Sequence, residues 1–153
     1  MGTPINLKDR IKKHEGLRLT PYEDSEGIMT VCYGRNLRDV PFTQEEADFM
    51  FETDFLKAQN GAKKFPLYET LNGPRRGVVI EMVFQMGRAG VANFHRFWLA
   101  VGAQEWDLAA TEMLDSKWHE QTPERAEELS EVFRNGIDII SWICSSFSFL
   151  DLS

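Results

Sequence analysis

The chain has 153 residues, with 17 Lys and Arg against 24 Asp and Glu, a formal net charge of −7. Its 42% apolar and 27% charged residues make an ordinary globular composition, which excludes a disordered, collagenous or disulfide-framework protein. The acid excess also excludes general nucleic-acid binding, because neutralising phosphates takes clustered Lys and Arg.

Residues 1–16 show no apolar run after a basic start, so no secretory signal peptide is expected. No stretch reaches the ~20 apolar residues of a spanning helix, so no membrane insertion is expected. The same N-terminal stretch predicts a short amphipathic helix over 5–15, with Ile5, Leu7 and Ile11 as a ragged apolar stripe and Gly16 ending it. Glu15 then sits at the end of the helix dipole that disfavours a negative charge. Pro21 stops helix, Asp24-Ser25-Glu26-Gly27 is a turn signal, and residues 28–33 are β-rich. A hairpin or three-strand unit follows from these signals.

Thr43 and Glu46 have capping-box spacing before a predicted helix over 43–63, whose apolar set includes Met50, Phe51, Phe55 and Ala58. From Pro74 to Gly87 the chain is apolar on nearly every side and predicts a buried central helix. Shorter helices are predicted over 94–101 and 105–114. Thr122-Pro123 reads as N-cap and first position of a helix closed by Gly136. The fold class is therefore α+β: a small sheet near the N-terminus and a larger helical lobe. Trp98, Trp106, Trp118 and Trp142 read as packing residues. Cys32 and Cys144 read as buried free thiols, with a disulfide left open.

Glu15, Asp24 and Thr30 fall around the helix-to-sheet transition. Two carboxylates in unlike surroundings are what glycosidic cleavage requires, one donating a proton and one remaining ionised. Spacing alone fits solvated surface acids better, because 24 acidic residues make chance pairs common. The strings are more specific. His14-Glu15-Gly16-Leu17-Arg18-Leu19, then Tyr22-Glu23-Asp24-Ser25-Glu26-Gly27, then Thr30-Val31 and Gly34 closely resemble the catalytic segment of the phage-type lysozymes, glycoside hydrolase family 24. Met82-Val83-Phe84-Gln85-Met86-Gly87 with Gly90-Val91-Ala92, and Ser116-Lys117-Trp118 with Gln121-Thr122-Pro123 and Arg125-Ala126, resemble later blocks in the family's order.

The resemblance implies a lysozyme-like domain over residues 1–153, with a β lobe at about 12–42, a connecting helix at about 43–63, and a helical lobe from 1–11 and 60–153. It implies a bacteriolytic muramidase, or endolysin, that cuts the β-1,4 bond between N-acetylmuramic acid and N-acetylglucosamine in peptidoglycan. Glu15 would be the general acid, Asp24 the second carboxylate, and Thr30 a holder of the attacking water. Inversion at the anomeric carbon would need carboxyls about 6.5–9.5 Å apart, to admit that water. Asn36, Phe84, Gln85, Phe97, Glu112 and Arg125 fall on the family's substrate-contact positions. Asn36, Phe97 and Glu112 depart in type from the residues usual there. No cofactor or metal is implied, because water and carboxyls suffice. A monomer is expected, made in a host cytoplasm and released to the wall by a holin. The alternative is a lysozyme-fold phage protein that grips glycan or serves structure without cutting.

Several positions depart from the family pattern. The segment between Tyr33 and Thr43 is shorter than in T-even members. Arg35 replaces a histidine and is expected to pair with Asp54. His14 and Glu128 are expected to face each other. Cys32 replaces a glycine, shares the face of Thr30 by strand alternation and would crowd the water. Arg75, Arg76, Arg88, His95 and Arg96 are candidate local cations against the net negative charge. Residues 137–153 follow no family pattern.

Overall fold

A computed structural model describes residues 6–138. Helix α1 (Leu7–Glu15) begins at Asn6, whose side chain accepts from the Asp9 N–H at 2.9 Å, and ends at Gly16. Gly16 lies at φ +71°, where a side chain would be strained. No residue of α1 is buried, so its apolar stripe is not a core face: Leu7 and Ile11 are exposed.

Strands β1 (Arg18–Glu23), β2 (Met29–Cys32) and β3 (Arg35–Asn36) form an antiparallel sheet in that order. Tyr22 lies opposite Thr30, and Thr30 opposite Asn36, with an irregularity in β1 between Arg18 and Tyr22. Pro21 is accommodated because β1 is an edge strand.

Helix α2 (Gln44–Ala62) opens with the predicted capping box. Thr43 Oγ1 accepts from the Glu46 N–H at 3.2 Å, and Glu46 Oε2 accepts from the Thr43 N–H at 2.9 Å. Its apolar stripe is less buried than the spacing predicted. Among its residues only Ala58 and Ala62 are buried, while Phe49, Met50, Phe51 and Leu56 are exposed.

After a short 3-10 turn (Tyr68–Thr70) comes α3 (Gly73–Ala92), interrupted at Gly87, where φ +75° and ψ 161° leave helical space. The sequence ends the helix at Gly87, whereas the chain resumes it for one more turn. Val78, Val79, Met82 and Val83 are buried, but Phe84 is 44% exposed, so the helix has an outer face. Then follow α4 (His95–Gly102), α5 (Trp106–Leu114), the unforeseen α6 (Lys117–Gln121), and α7 (Pro123–Asn135). Gly136 closes α7 in the left-handed conformation, as predicted. Thr122 does not cap α7 with its side chain; its hydroxyl donates instead to the Trp118 carbonyl at 3.0 Å.

The chain divides into two compact units, residues 1–50 and 51–153, with the division inside α2. The first holds α1 and the sheet. In the second, α5 packs against α4 and α7 around Phe97, Phe133, Met82 and Met113, all fully buried. Trp118 is buried, and Trp98 and Trp106 pack half-buried against this core, as expected. The elements make an α+β fold, mostly helical with one small antiparallel sheet. The expectations for residues 139–153, including Trp142 and Cys144, lie outside the described residues.

Candidate active site

Asp24 is built by its own turn. Its Oδ1 accepts from the N–H groups of Ile28 and Glu26, each at 2.9 Å, which the Asp-Ser-Glu-Gly signal encodes as an Asx-type turn. These bonds, the Ile28 N–H first, with the Arg38 charge in support and partial burial opposing, hold the carboxyl below its ordinary range. Asp24 is therefore a carboxylate at neutral pH, with Oδ2 outside both bonds.

Glu15 is the last residue of α1, and its carboxylate lies over the turn between β2 and β3. A side chain at Gly34 would place its Cβ 3.0 Å from Glu15 Oε2, and Gly34 is itself at φ +76°. Glycine is thus needed at this turn both for the backbone and for the acid above it. Thr30 is buried at 4% exposure, with its hydroxyl donating to the Ile28 carbonyl at 3.1 Å. With its proton committed, Oγ1 is left as an acceptor. A single loop therefore organises two of the three residues: Ile28 gives its N–H to Asp24 and its carbonyl to Thr30.

Cys32 corrects two expectations. It is an exposed free thiol, not a buried one. It also does not share the environment of Thr30, because its backbone sits at φ +58° and breaks the strand alternation. Arg35 corrects a third. It forms a two-pronged pair with Glu46 (Nη1–Oε1 2.5 Å, Nη2–Oε2 2.9 Å), not with Asp54, which pairs with Lys57 at 3.7 Å. Arg35 also donates to the carbonyls of Val40 and Pro41, pinning the shortened loop to the start of α2. That pair and the capping bond from Thr43 keep Glu46 low in pKa, the capping bond contributing most.

The remaining candidates have varied surroundings. Asn36 on β3 uses its amide locally: Oδ1 accepts from the Arg38 and Asp39 N–H groups, and Nδ2 donates to Asp39. On α3, Phe84 presents an exposed ring beside Phe51, with centroids 5.7 Å apart. Gln85 is a bridge: Oε1 accepts from Trp118 Nε1 at 2.8 Å, and Nε2 donates to Thr122 Oγ1 at 3.3 Å. Arg125 is exposed in the first turn of α7, and its charge acts on Glu81 of α3. Loss of hydration raises the Glu81 pKa despite its partly exposed surface; Arg125 opposes this, and Glu128 and Asp138 add to it. Phe97 does not sit at a rim. It is fully buried against Phe94, Trp98 and Phe133, behind the wall of the same cavity that Glu112 lines. Glu112 is 8% exposed and pairs with Arg96 at 2.8 Å on the wall of a cavity of about 620 Å³.

Two of the candidate local cations are structural. Arg75 donates to the Phe133 and Arg134 carbonyls at the end of α7 and lies 4.0 Å from the Trp106 ring, and Arg76 serves the Tyr68 and Glu69 carbonyls. Sequence reasoning missed Arg38, for which a lone exposed arginine gave no signal, and the Gly34 approach, which a glycine after a β-rich run did signal. Among the described residues, no group of three or more His, Cys, Asp or Glu is placed to hold a metal ion.

The family model for phage lysozyme matches residues 12–131, a span that includes Glu15, Asp24, Thr30 and the α3 and α7 blocks. The chain belongs to the phage lysozyme family. The protein named probable T4-type lysozyme 2 of Dictyostelium discoideum is 27% identical to this chain, over 86% of this chain and 95% of that protein. The pre-baseplate central spike protein Gp5 of Enterobacteria phage T4 is 28% identical over 86% of this chain, which spans only 28% of that longer protein. A SAR-endolysin of bacteriophage PS119 is 24% identical over 60% of this chain and 67% of its own. No helix among the described residues is long and apolar enough to cross a membrane.

Proposed function

We propose that this lysozyme is a muramidase that cuts the β-1,4 linkage between N-acetylmuramic acid and N-acetylglucosamine in bacterial peptidoglycan. The observation that carries this reading is Asp24, a carboxylate held ionised by two N–H donors and joined through Ile28 to a buried threonine acceptor. A water donating one proton to Thr30 Oγ1 and one toward Asp24 has its lone pair directed at the anomeric carbon. Glu15 gives its proton to the leaving oxygen as the glycosidic bond breaks. Asp24 takes the proton of the attacking water, and the anomeric centre inverts. In the second unit Phe84 offers a ring face to glycan, with Gln85, Arg125 and Glu112 as further contacts; in the first unit Asn36 is a further contact. Phe97 is left out of that set because it is core. The enzyme acts as a monomer and reaches the wall after release from the cell that makes it.

The test is release of reducing ends from purified peptidoglycan by wild type, Glu15→Gln and Asp24→Asn. Equal rates from wild type and Glu15→Gln would end the proposal. A second reading, a glycan-gripping part of a phage particle that does not cut, is favoured by the similarity to a central spike protein. Saccharide binding with no turnover by wild type would select it.

A further inference from the structure

In the first unit, an apolar groove of about 340 Å³ is lined by Phe42, Glu45, Glu46, Phe49 and Met50. Phe49 is 76% exposed, and Phe42, Met50 and the neighbouring Val40 are 40–50% exposed, an unusual concentration of apolar surface for the start of one helix. The groove belongs to none of the residues assigned to the glycan reaction. Its setting is one-signed. Helix α2 carries Glu45, Glu46, Asp48, Glu52 and Asp54 against a single Lys57. Arg35, whose guanidinium lies 4.9 Å from the centre of the Phe42 ring, is paired with Glu46, and Asp48 accepts from the neutral amide of Gln44.

These features select among occupants. An isologous contact with a second copy would set Glu45 and Asp48 against their own counterparts, and like charges across an interface are costly. An anionic lipid surface meets the same repulsion. A basic amphipathic helix has neither problem: its apolar side chains enter beside Phe49 and Met50, while its Lys or Arg residues face Glu45 and Asp48. We propose that this groove is a docking site for a cationic amphipathic helix of a partner protein.

The probe is a synthetic helix-forming peptide of Leu and Lys with its leucines on one face, beside a control in which Glu replaces Lys. Titration into the full chain is expected to show saturable binding of the Lys peptide, at least about tenfold tighter than the Glu peptide. Phe49→Ser/Met50→Ser is expected to weaken Lys-peptide binding by about tenfold or more, with thermal midpoint and peptidoglycan turnover unchanged. Glu45→Lys/Asp48→Lys is expected to invert the preference toward the Glu peptide, which an unspecific apolar patch would not do. Undiminished binding by the serine variant, no inversion by the lysine variant, equal binding to phosphatidylglycerol vesicles, or self-association dependent on Phe49 would each overturn the proposal. Turnover is read separately, so its loss in wild type would count against the muramidase reading alone.

Discussion

Replacing Phe97 with alanine separates a core residue from a sugar contact. Phe97 is fully buried, with ring centroids 5.0 Å from Trp98, 5.0 Å from Phe133 and 6.4 Å from Phe94. Truncating a buried phenylalanine costs about 3–5 kcal/mol in transfer energy and residual cavity. The lost aromatic pairs place this site toward the upper end of that range. For a chain of this size each kcal/mol moves the thermal midpoint by roughly 2–4 °C, so Phe97→Ala should melt about 10–15 °C below wild type. The assay pairs a circular-dichroism melt with initial rates on peptidoglycan, measured well below the variant's midpoint. With the fold intact at that temperature, KM should stay within about twofold of wild type. A midpoint within about 2 °C of wild type together with a raised KM would refute the packing argument and return Phe97 to the substrate.

Cys32→Gly should raise the thermal midpoint in reducing buffer, because the left-handed backbone at φ +58° costs a non-glycine residue about 1 kcal/mol, partly offset by glycine's freer unfolded chain. Cys32→Val should lower it; the opposite order would remove the strain argument. Asp24 has a folded pKa below 3.8, so the unfolded chain binds its proton first and stability falls as pH drops through and below that value. Asp24→Asn should lose this part of the acid unfolding limb, as read by urea midpoints across pH. Glu81 has the opposite sign: its folded pKa lies above 4.5, so the fold is destabilised as pH rises past that value. Glu81→Gln should therefore be more stable than wild type at pH 7 and show a flatter pH profile just above pH 4.5; an unchanged profile would contradict the assignment.

Local chemistry was legible in the sequence where a motif closes on itself. The Thr43–Glu46 box, the Asp24 turn and the Gly136 terminus each need only residues within four positions of one another, and each formed as read. The caps at Asn6 and Asn72 are of the same kind, and asparagine before a helical run is a sufficient signal for them. Errors came where the partner is remote or the backbone departs from its element. Period-two alternation put Cys32 beside Thr30, and one positive φ undid it. Charge matching offered Arg35 a partner at Asp54, whereas the shortened loop brought Glu46 within reach. Alignment with a cleft position took Phe97 to the rim, and large apolar neighbours drew it into the core instead. The exposed aromatics of α2 show the converse: helical spacing marks a candidate apolar face without saying what covers it.

The net charge of −7 argues against encounter with an anionic wall only if it is spread evenly, and it is not. Helix α2 has four more acids than bases and α7 has two more, Glu124, Glu127, Glu128 and Glu131 against Arg125 and Arg134. These two helices account for six of the seven excess charges. Helix α1, which ends in Glu15, is cationic: Lys8, Arg10, Lys12 and Lys13 outnumber Asp9 and Glu15. At physiological ionic strength a charge is felt over only about 8 Å, less than the length of α1 itself. Lys12 and Lys13 share the last helical turn with Glu15, so a glycan strand at this proposed acid would meet them first on α1. The acid excess, concentrated on α2, instead supplies the charge that the proposed basic helix would recognise. One chain thus presents a cationic helix at its proposed catalytic acid and an acidic helix at its proposed docking groove, a division that net charge alone conceals.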